Sequence, residues 1–520
     1  MIAGENPTDS FEAGAVDFSS GPRRTWLAAA IILAFLVFAL VVAKVGLKTF
    51  PVSGDENSYL LQAEIFARGK LAMPPPPHPR IFEVDHVLLE PKLRSKYPPG
   101  WPALLAIGSA FGQPWVINPL LAALGLAALF GAARRLYGET PALIAIALLA
   151  FSPFLIFQAA SYHSHTSLLW ALALGLYFLV RGLEGRRGRI GWAIALGLAI
   201  GLAFLIRPMD GLLFGAALLV YLRVAPGFVL TAGAAGTAVA ALLPLYQKAQ
   251  FGSPFTSGYT AYDPMLVSLY GDWASHAFGL DFLVNPVAQW GHLHWFLDLS
   301  LWLVPGTLLL ALVGLSRRWG QLRATAVHRF LLVALALQVF LVLCMSGDQG
   351  DSYGPRYLLP TLVPIAMGVA AGVVRLRPWL VERGITVSRR MARGLVAAAL
   401  AIGLVRAGAF LQHDYPGIQV RSGLYRAVAE AGLDHAVVIV NAPYPTRFTR
   451  NPVTWDGPVL YVSNRGGLDD QAIARLFPDR QPFIGARVAD GPGIDADGGW
   501  LLRPLASPRT PAEGDPVRPR

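Results

Sequence analysis

Residues 25–69 read TWLAAAIILAFLVFALVVAKV, then GLKTF, then PVSGDENSYLLQAEIFARG, and the rest of the chain is organised around this stretch. Thr25 to Val45 is apolar for long enough to cross a bilayer, whose hydrocarbon core takes about 20 such residues. Two adjacent carboxylates, Asp55 and Glu56, follow where that segment has surfaced. Lipid would not tolerate them, since an acidic side chain costs about 2.5–3.5 kcal/mol at the centre of a span. Leu60, Leu61, Ala63, Ile65, Phe66 and Ala67 then recur with Gln62, Glu64 and Arg68 between them. That is the pattern of an amphipathic helix lying on the membrane face and closing at Gly69. The acidic pair has two readings. Asp55 caps this helix while Glu56 adds to its dipole, or both are chemical groups held at the rim of a membrane protein.

Composition supports the membrane setting. The chain has 520 residues, 54% hydrophobic and 14% charged, where soluble globules run at about 25% charged. Repeated long apolar runs indicate a polytopic α-helical membrane protein. The net charge of +11 suggests nucleic acid, but Lys and Arg fall mostly in short loops between apolar runs, which is membrane topology. No nucleic-acid partner is expected. Cys344 is alone, which excludes a disulfide within the chain. Residues 1–22 are polar and read as a disordered cytoplasmic tail, and the apolar run after them is expected to stay as a span.

Arg23 and Arg24 place the N-terminus inside by the positive-inside bias. Further apolar segments lie at about 115–133, 140–157, 165–181, 190–206, 209–222, 227–246, 298–315, 329–346, 357–374 and 394–411. Their connectors alternate between basic (Arg134 and Arg135; Arg181 to Arg189; Arg317 to Arg329; Arg375 to Arg393) and nearly base-free. About eleven spans with the C-terminus outside satisfy every loop. The helical module is thus 23–411, with outside loops at 47–112 and 247–297. In the first loop Pro74 to Pro77 cannot be helix, and Trp101 to Phe111 reads as a second surface helix, started by Pro102 and anchored by Trp101 at the lipid boundary. The second loop is rich in aromatics, including Phe255, Tyr259 and Trp295, and reads as an interface belt. Residues 412–503 hold no span. Strands at 436–441 and 458–464 and helices at 419–431 and 468–477 predict a small α/β domain on the outer face, with no Gly-rich phosphate loop. Residues 504–520 read as a disordered tail.

With this topology the outward connectors gather Asp55, Glu56, Lys96, His163, His165, Arg207 and the run Gly347 to Tyr357, which holds Asp351, Tyr353 and Arg356. Lys96 and Arg207 have a plainer role as side chains snorkelling to headgroups. Arg356 follows a Gly-Pro break at the start of a span, where a fixed guanidinium can grip a phosphate. His163 and His165 are either metal ligands with Asp55 or polar groups at a helix end. Carboxylates suit a general base, and outward cations suit an anionic leaving group. Activated nucleotide donors are cytoplasmic, so a transferase working outside needs a donor carried across on lipid.

These residues resemble the GT-C-fold glycosyltransferases that use polyprenyl-phosphate sugars, among them the protein O-mannosyltransferases and the bacterial aminoarabinose transferase of lipid A. Gly54-Asp55-Glu56-x-x-Tyr59 looks like that group's acidic first-loop motif. Ser95-Lys96-Tyr97-Pro98-Pro99-Gly100-Trp101-Pro102 looks like its Lys/Pro-Pro motif, and Tyr353-Gly354-Pro355-Arg356-Tyr357-Leu358-Leu359-Pro360 its late-span motif. The resemblance covers roughly 25–411 and implies an inverting sugar transfer from a polyprenyl-phosphate carrier on the periplasmic side of a bacterial inner membrane. It implies Asp55 as general base, Glu56 orienting Asp55 or the acceptor, and Lys96 and Arg356 on the lipid phosphate with Arg207. Tyr59, Tyr97, His163, His165, Asp351, Tyr353 and Tyr357 are then substrate-binding positions. No cofactor is required, and a divalent metal stays open. The acceptor is an envelope glycan, a lipid or a protein. The rivals are transfer of a whole lipid-linked oligosaccharide, a transporter of lipid-linked sugars, and a non-catalytic envelope scaffold. A transporter would show helices broken at mid-membrane, and the apolar runs read as unbroken. The second outside loop carries no copy of the acid motif.

Overall fold

The computed structural model describes residues 22–185, 187–262, 293–316, 322–344, 353–385, 388–442, 445–464, 468–487 and 499–505. The chain divides into two compact units: Met1–Thr49 with Tyr97–His413, and Phe50–Lys96 with Asp414–Arg520.

The first unit is helical. All eleven apolar segments form helix, but not all are straight spans. Among the described residues eight helices are long and apolar enough to cross a membrane, or up to ten if each of two bent pairs counts as one span. The expected segment 209–222 is a short helix, Pro208–Ala216, tightening into a 3-10 stretch, Ala217–Tyr221. The expected run 140–157 is broken into Glu139–Ala150 and Pro153–Ala160, bent by 60°. Pro153 has no N–H to continue the ladder, and the new start is capped by Ser152 Oγ, which accepts from the Leu155 N–H at 3.2 Å. In the run 298–315 the helices ending at Trp302 and starting at Thr307 meet at 114° across Gly306, whose φ is +85°. These two breaks correct the expectation of unbroken runs.

Apolar side chains on the first span point outward, with Trp26 75% and Leu33 60% exposed, as a helix facing acyl chains requires. Elsewhere small residues let backbones touch. A Cβ on Gly314 would lie 1.9 Å from the Gly368 carbonyl, so the helices Thr307–Leu315 and Leu362–Glu382 cross in near contact. Trp101 is not a boundary anchor. It is fully buried at the start of the helix Gly100–Ala110, and its indole N–H donates to the Tyr162 carbonyl at 2.8 Å. Trp295 is likewise buried, not part of an interface belt, whereas Phe255 is 93% exposed. The aromatics between 263 and 292 lie outside the described residues.

The second unit holds a four-stranded sheet. Its strands are β3 (Ala436–Asn441), β4 (Val459–Ser463), β5 (Gln481–Arg487) and β6 (Trp500–Pro504), in the order β4-β3-β5-β6. A two-residue ladder, β1 (Val87–Leu88) with β2 (Arg94–Ser95), precedes them in the chain. β3 runs parallel to both β4 and β5, and β6 closes the edge antiparallel. The unbroken apolar run of β3 follows from burial on both faces. Val438 and Val440 pack with Leu424, Tyr461, Phe448 and Trp500. Val437 and Ile439 pack with Ile473, Phe477 and, from the first loop, Ile81 and Phe82. Ile65, Met73, Val84 and Leu93 enclose Val453. The first loop was expected to belong to the helical module, but residues 50–96 fold with the C-terminal sheet because their apolar side chains cover its second face. The helix Gly54–Ala67 is itself buried well beyond one stripe, its Ile65 packed with Met73, Val84, Leu93 and Val453.

Candidate functional site

The predicted site residues divide between the units. In the second, the acidic stretch starts the helix Gly54–Ala67. Ser53, extended at φ −129°, is its N-cap. Its Oγ accepts from the Glu56 N–H at 3.3 Å, and the Glu56 carboxylate accepts in return from the N–H groups of Ser53 at 3.0 Å and Val52 at 2.6 Å. This capping box assigns the cap to Ser53 and gives buried Glu56 the work of fixing the turn. Asp55 is left at the positive end of the helix dipole with its carboxylate 3.2 Å from His86 Nε2. The two side chains are 19% and 32% exposed, so Asp55 is not bathed in open water. The approach is close because residue 54 is glycine: a Cβ there would lie 2.6 Å from Asp85 Cβ.

His86 also ties in Lys96. The Lys96 N–H donates to the His86 carbonyl at 3.2 Å, and the Ser58 hydroxyl donates to the same oxygen at 2.7 Å. Ser95 is held from two sides, its N–H on Gln62 Oε1 at 2.9 Å and its hydroxyl 2.7 Å from Ser58 Oγ. Tyr59 is buried on the same helix. Sequence reasoning missed His86, which is one histidine in a long loop with no local pattern around it.

In the first unit the site is built on the turn 161–163 and the late-span motif. Tyr353 at φ +61° and Gly354 at φ +86° turn the chain into Pro355 and the 3-10 helix Arg356–Thr361. The Tyr353 carbonyl accepts from Gln158 Nε2 at 3.1 Å, and its ring stacks on Phe157. Arg356 is buried, with Nη1 2.8 Å from His163 Nε2. A guanidinium only donates, so Nε2 is the acceptor and the ring proton sits on Nδ1, facing Ser161 Oγ at 3.1 Å. The Ser161 hydroxyl passes its own proton toward the Gln158 carbonyl at 2.9 Å. Asn118 Nδ2 clamps the turn, donating to the carbonyls of Ser161 at 2.7 Å and His163 at 2.9 Å.

Tyr357 is the hub. Arg207 lies 5.0 Å and Arg356 5.6 Å from its ring centroid. His165 meets it edge-on at 5.1 Å, and Trp295 stacks on it at 6.4 Å. Arg207 does not snorkel, because it pairs with buried Asp210 at 2.9 Å, whose other oxygen accepts from Gln338 Nε2 at 2.8 Å. His165 is 3% exposed, and among the described residues neither ring nitrogen has a hydrogen-bond partner. Tyr97 is buried in edge contact with Tyr259. Asp351 lies outside the described residues. Among the described residues no three His, Cys, Asp or Glu side chains cluster to hold a metal. The sequence reading also passed over Asn118, Asp210 and Gln338. Asp210 did carry a signal, as an acid inside an apolar segment.

The family pattern described as dolichyl-phosphate-mannose-protein mannosyltransferase matches residues 98–246. Among solved structures the chain is similar to ArnT from Cupriavidus metallidurans bound to undecaprenyl phosphate, with a TM-score of 0.53 and 17% identity over 88% of this chain and 93% of that one. The same protein in its apo state gives 0.52 and 16% over the same shares. An oligosaccharyltransferase from Archaeoglobus fulgidus, in complex with Zn and sulfate, gives 0.48 and 13% over 88% of this chain and 68% of that one. No curated protein matches the sequence significantly. The helical architecture is the GT-C fold, and residues 98–246 carry the matched mannosyltransferase family pattern.

Proposed function

We propose that the protein transfers a sugar from a polyprenyl-phosphate carrier to an acceptor hydroxyl on the periplasmic face of a bacterial inner membrane, with inversion. Asp55 takes the acceptor's proton, the acceptor oxygen bonds to the anomeric carbon, and the bond from that carbon to the phosphate oxygen breaks. The polyprenyl phosphate leaves with the electron pair. Lys96, Arg356 and Arg207 meet its charge, and Tyr59, Tyr97, His163, His165, Tyr353 and Tyr357 bind the donor. The acceptor is an envelope glycan, a lipid or a protein. The similar proteins, a dolichyl-phosphate-mannose-protein mannosyltransferase family and a protein bound to undecaprenyl phosphate, agree in kind with such a donor.

One observation carries the reading. Two guanidinium groups lie by the Tyr357 ring beside a buried histidine whose ring nitrogens have no partner among the described residues. Buried polar atoms are almost always satisfied, and a phosphate or a sugar hydroxyl arriving between these cations would satisfy them with charge-assisted bonds.

The test is release of free polyprenyl phosphate from a synthetic polyprenyl-phosphate sugar by purified protein supplied with an envelope extract as acceptor. Asp55→Asn is expected to lower turnover by about 10²–10⁴ while donor binding persists, the usual range for loss of a general base. Arg356→Ala is expected to weaken donor binding. Full turnover by Asp55→Asn would remove the base from the scheme, and label that moves across a vesicle membrane chemically unchanged would replace transfer by transport.

A further inference from the structure

The C-terminal domain supplies none of the proposed reacting groups, yet it grips the segment just before β1. Thr446 Oγ donates to Asp85 Oδ1 at 2.6 Å, Arg447 Nε lies 3.8 Å from Asp85 Oδ2, and Thr449 Oγ donates to the Glu83 carbonyl at 2.7 Å. Phe82, directly before this segment, is fully buried against Trp455 and Phe477. The clamped segment ends on His86, whose φ of +66° is unusual for a residue with a Cβ and persists only where its surroundings enforce it. From that conformation one residue reaches two others: its ring nitrogen meets Asp55 at 3.2 Å and its carbonyl accepts from the Lys96 backbone at 3.2 Å.

We infer that His86 is a positioning residue for sugar transfer, which orients the Asp55 carboxylate through its ring and sets the start of the Lys96 side chain through its carbonyl, and that the C-terminal domain holds it in place through Asp85. The inference rests on Asp55 acting as base and Lys96 as phosphate ligand. A carboxylate on a solvated loop end samples several rotamers, and a ring N–H facing one oxygen selects the one that leaves the other oxygen for the acceptor. The sheet domain thereby gains a role in the reaction without touching substrate.

The test uses the full chain in detergent or nanodiscs, the polyprenyl-phosphate release assay, and thermal unfolding as the control for folding. His86→Ala is expected to lower kcat by about 10–100-fold, the range for a lost orienting contact, with KM for the lipid donor within about twofold. His86→Gln carries an amide nitrogen near the position of Nε2 and is expected to recover most of that loss. Thr446→Val keeps its shape, removes the bond to Asp85, and is expected to lower kcat several-fold at nearly unchanged melting temperature. If Asp55→Asn is inactive while His86→Ala turns over at the wild-type rate, the positioning role is refuted and the base stands. If Asp55→Asn is fully active, the base itself falls and the inference with it. If His86→Ala and His86→Gln lose kcat equally and both melt early, His86 is only a structural residue.

Discussion

Gly54→Ala is a single-methyl perturbation of the acidic site. The new Cβ would lie 2.6 Å from Asp85 Cβ, 3.2 Å from Asp85 Oδ2 and 3.2 Å from His86 Cδ2, where ordinary contact starts at 3.4 Å. Alanine favours the helix by up to about 1 kcal/mol over glycine, whereas overpacking of this kind costs about 1–3 kcal/mol, so the clash wins and residues 85–86 must retreat by about 1 Å. The Asp55–His86 contact, now 3.2 Å, would then pass beyond hydrogen-bond range. A misplacement of that size in a catalytic group costs about 10²-fold. Gly54→Ala is therefore expected to lower kcat by about 10–100-fold with modest loss of thermal stability, measured by polyprenyl-phosphate release and by melting in detergent. Gly191→Ala is the matched control, a helical glycine with none of the described residues within 4 Å of the added methyl. Wild-type kcat in Gly54→Ala would show that the fit between residues 54 and 85–86 does not matter to turnover.

Arg356→Lys keeps the charge but loses the planar fork that reaches His163, so donor binding should weaken by about tenfold or more in a lipid-phosphate binding assay. Phe82→Ala empties a fully buried site in the sheet core and should cost about 3–5 kcal/mol in equilibrium unfolding of the second unit. Burial pushes the Tyr425 phenol up to about 12, and Tyr461 beside it is raised by burial and by Tyr425. A raised phenol contributes stability that is whole below its unfolded value near pH 10 and is lost as pH climbs through the folded value. The melting temperature of the wild type should therefore fall between pH 10 and about 12, and Tyr425→Phe should show a smaller fall there.

The helices were legible because a bilayer admits little else: long apolar runs separated by basic and base-free loops state both span and side. The breaks were harder. Pro153 and the Pro305-Gly306 pair stood in plain view, but an apolar run on each side outweighed them. β3 and β4 were readable because both of their faces are buried, whereas β5 contains Pro482 and Gly485 and gains its order by pairing with β3 and β6. The union of residues 50–96 with the sheet left no trace, since contacts between distant segments carry no local pattern. Arg207, His163 and Arg356 stood out because charge and imidazole are costly near lipid. Asn118 and Gln338 did not, because an amide within an apolar helix looks like noise until its partners are seen.

The assembly of the second unit from two remote pieces also sets a timetable for biosynthesis. The ribosome makes the Asp55 helix early, and Val453, which packs against its Ile65, emerges more than three hundred residues later. At about 5–20 residues per second, that helix waits roughly 20–80 s for this partner, capped meanwhile by its own Ser53 and Glu56. A nascent chain stalled before β3 would hold that helix without Val453 against Ile65, so the acidic stretch reaches its final packing only after the late segment has been made.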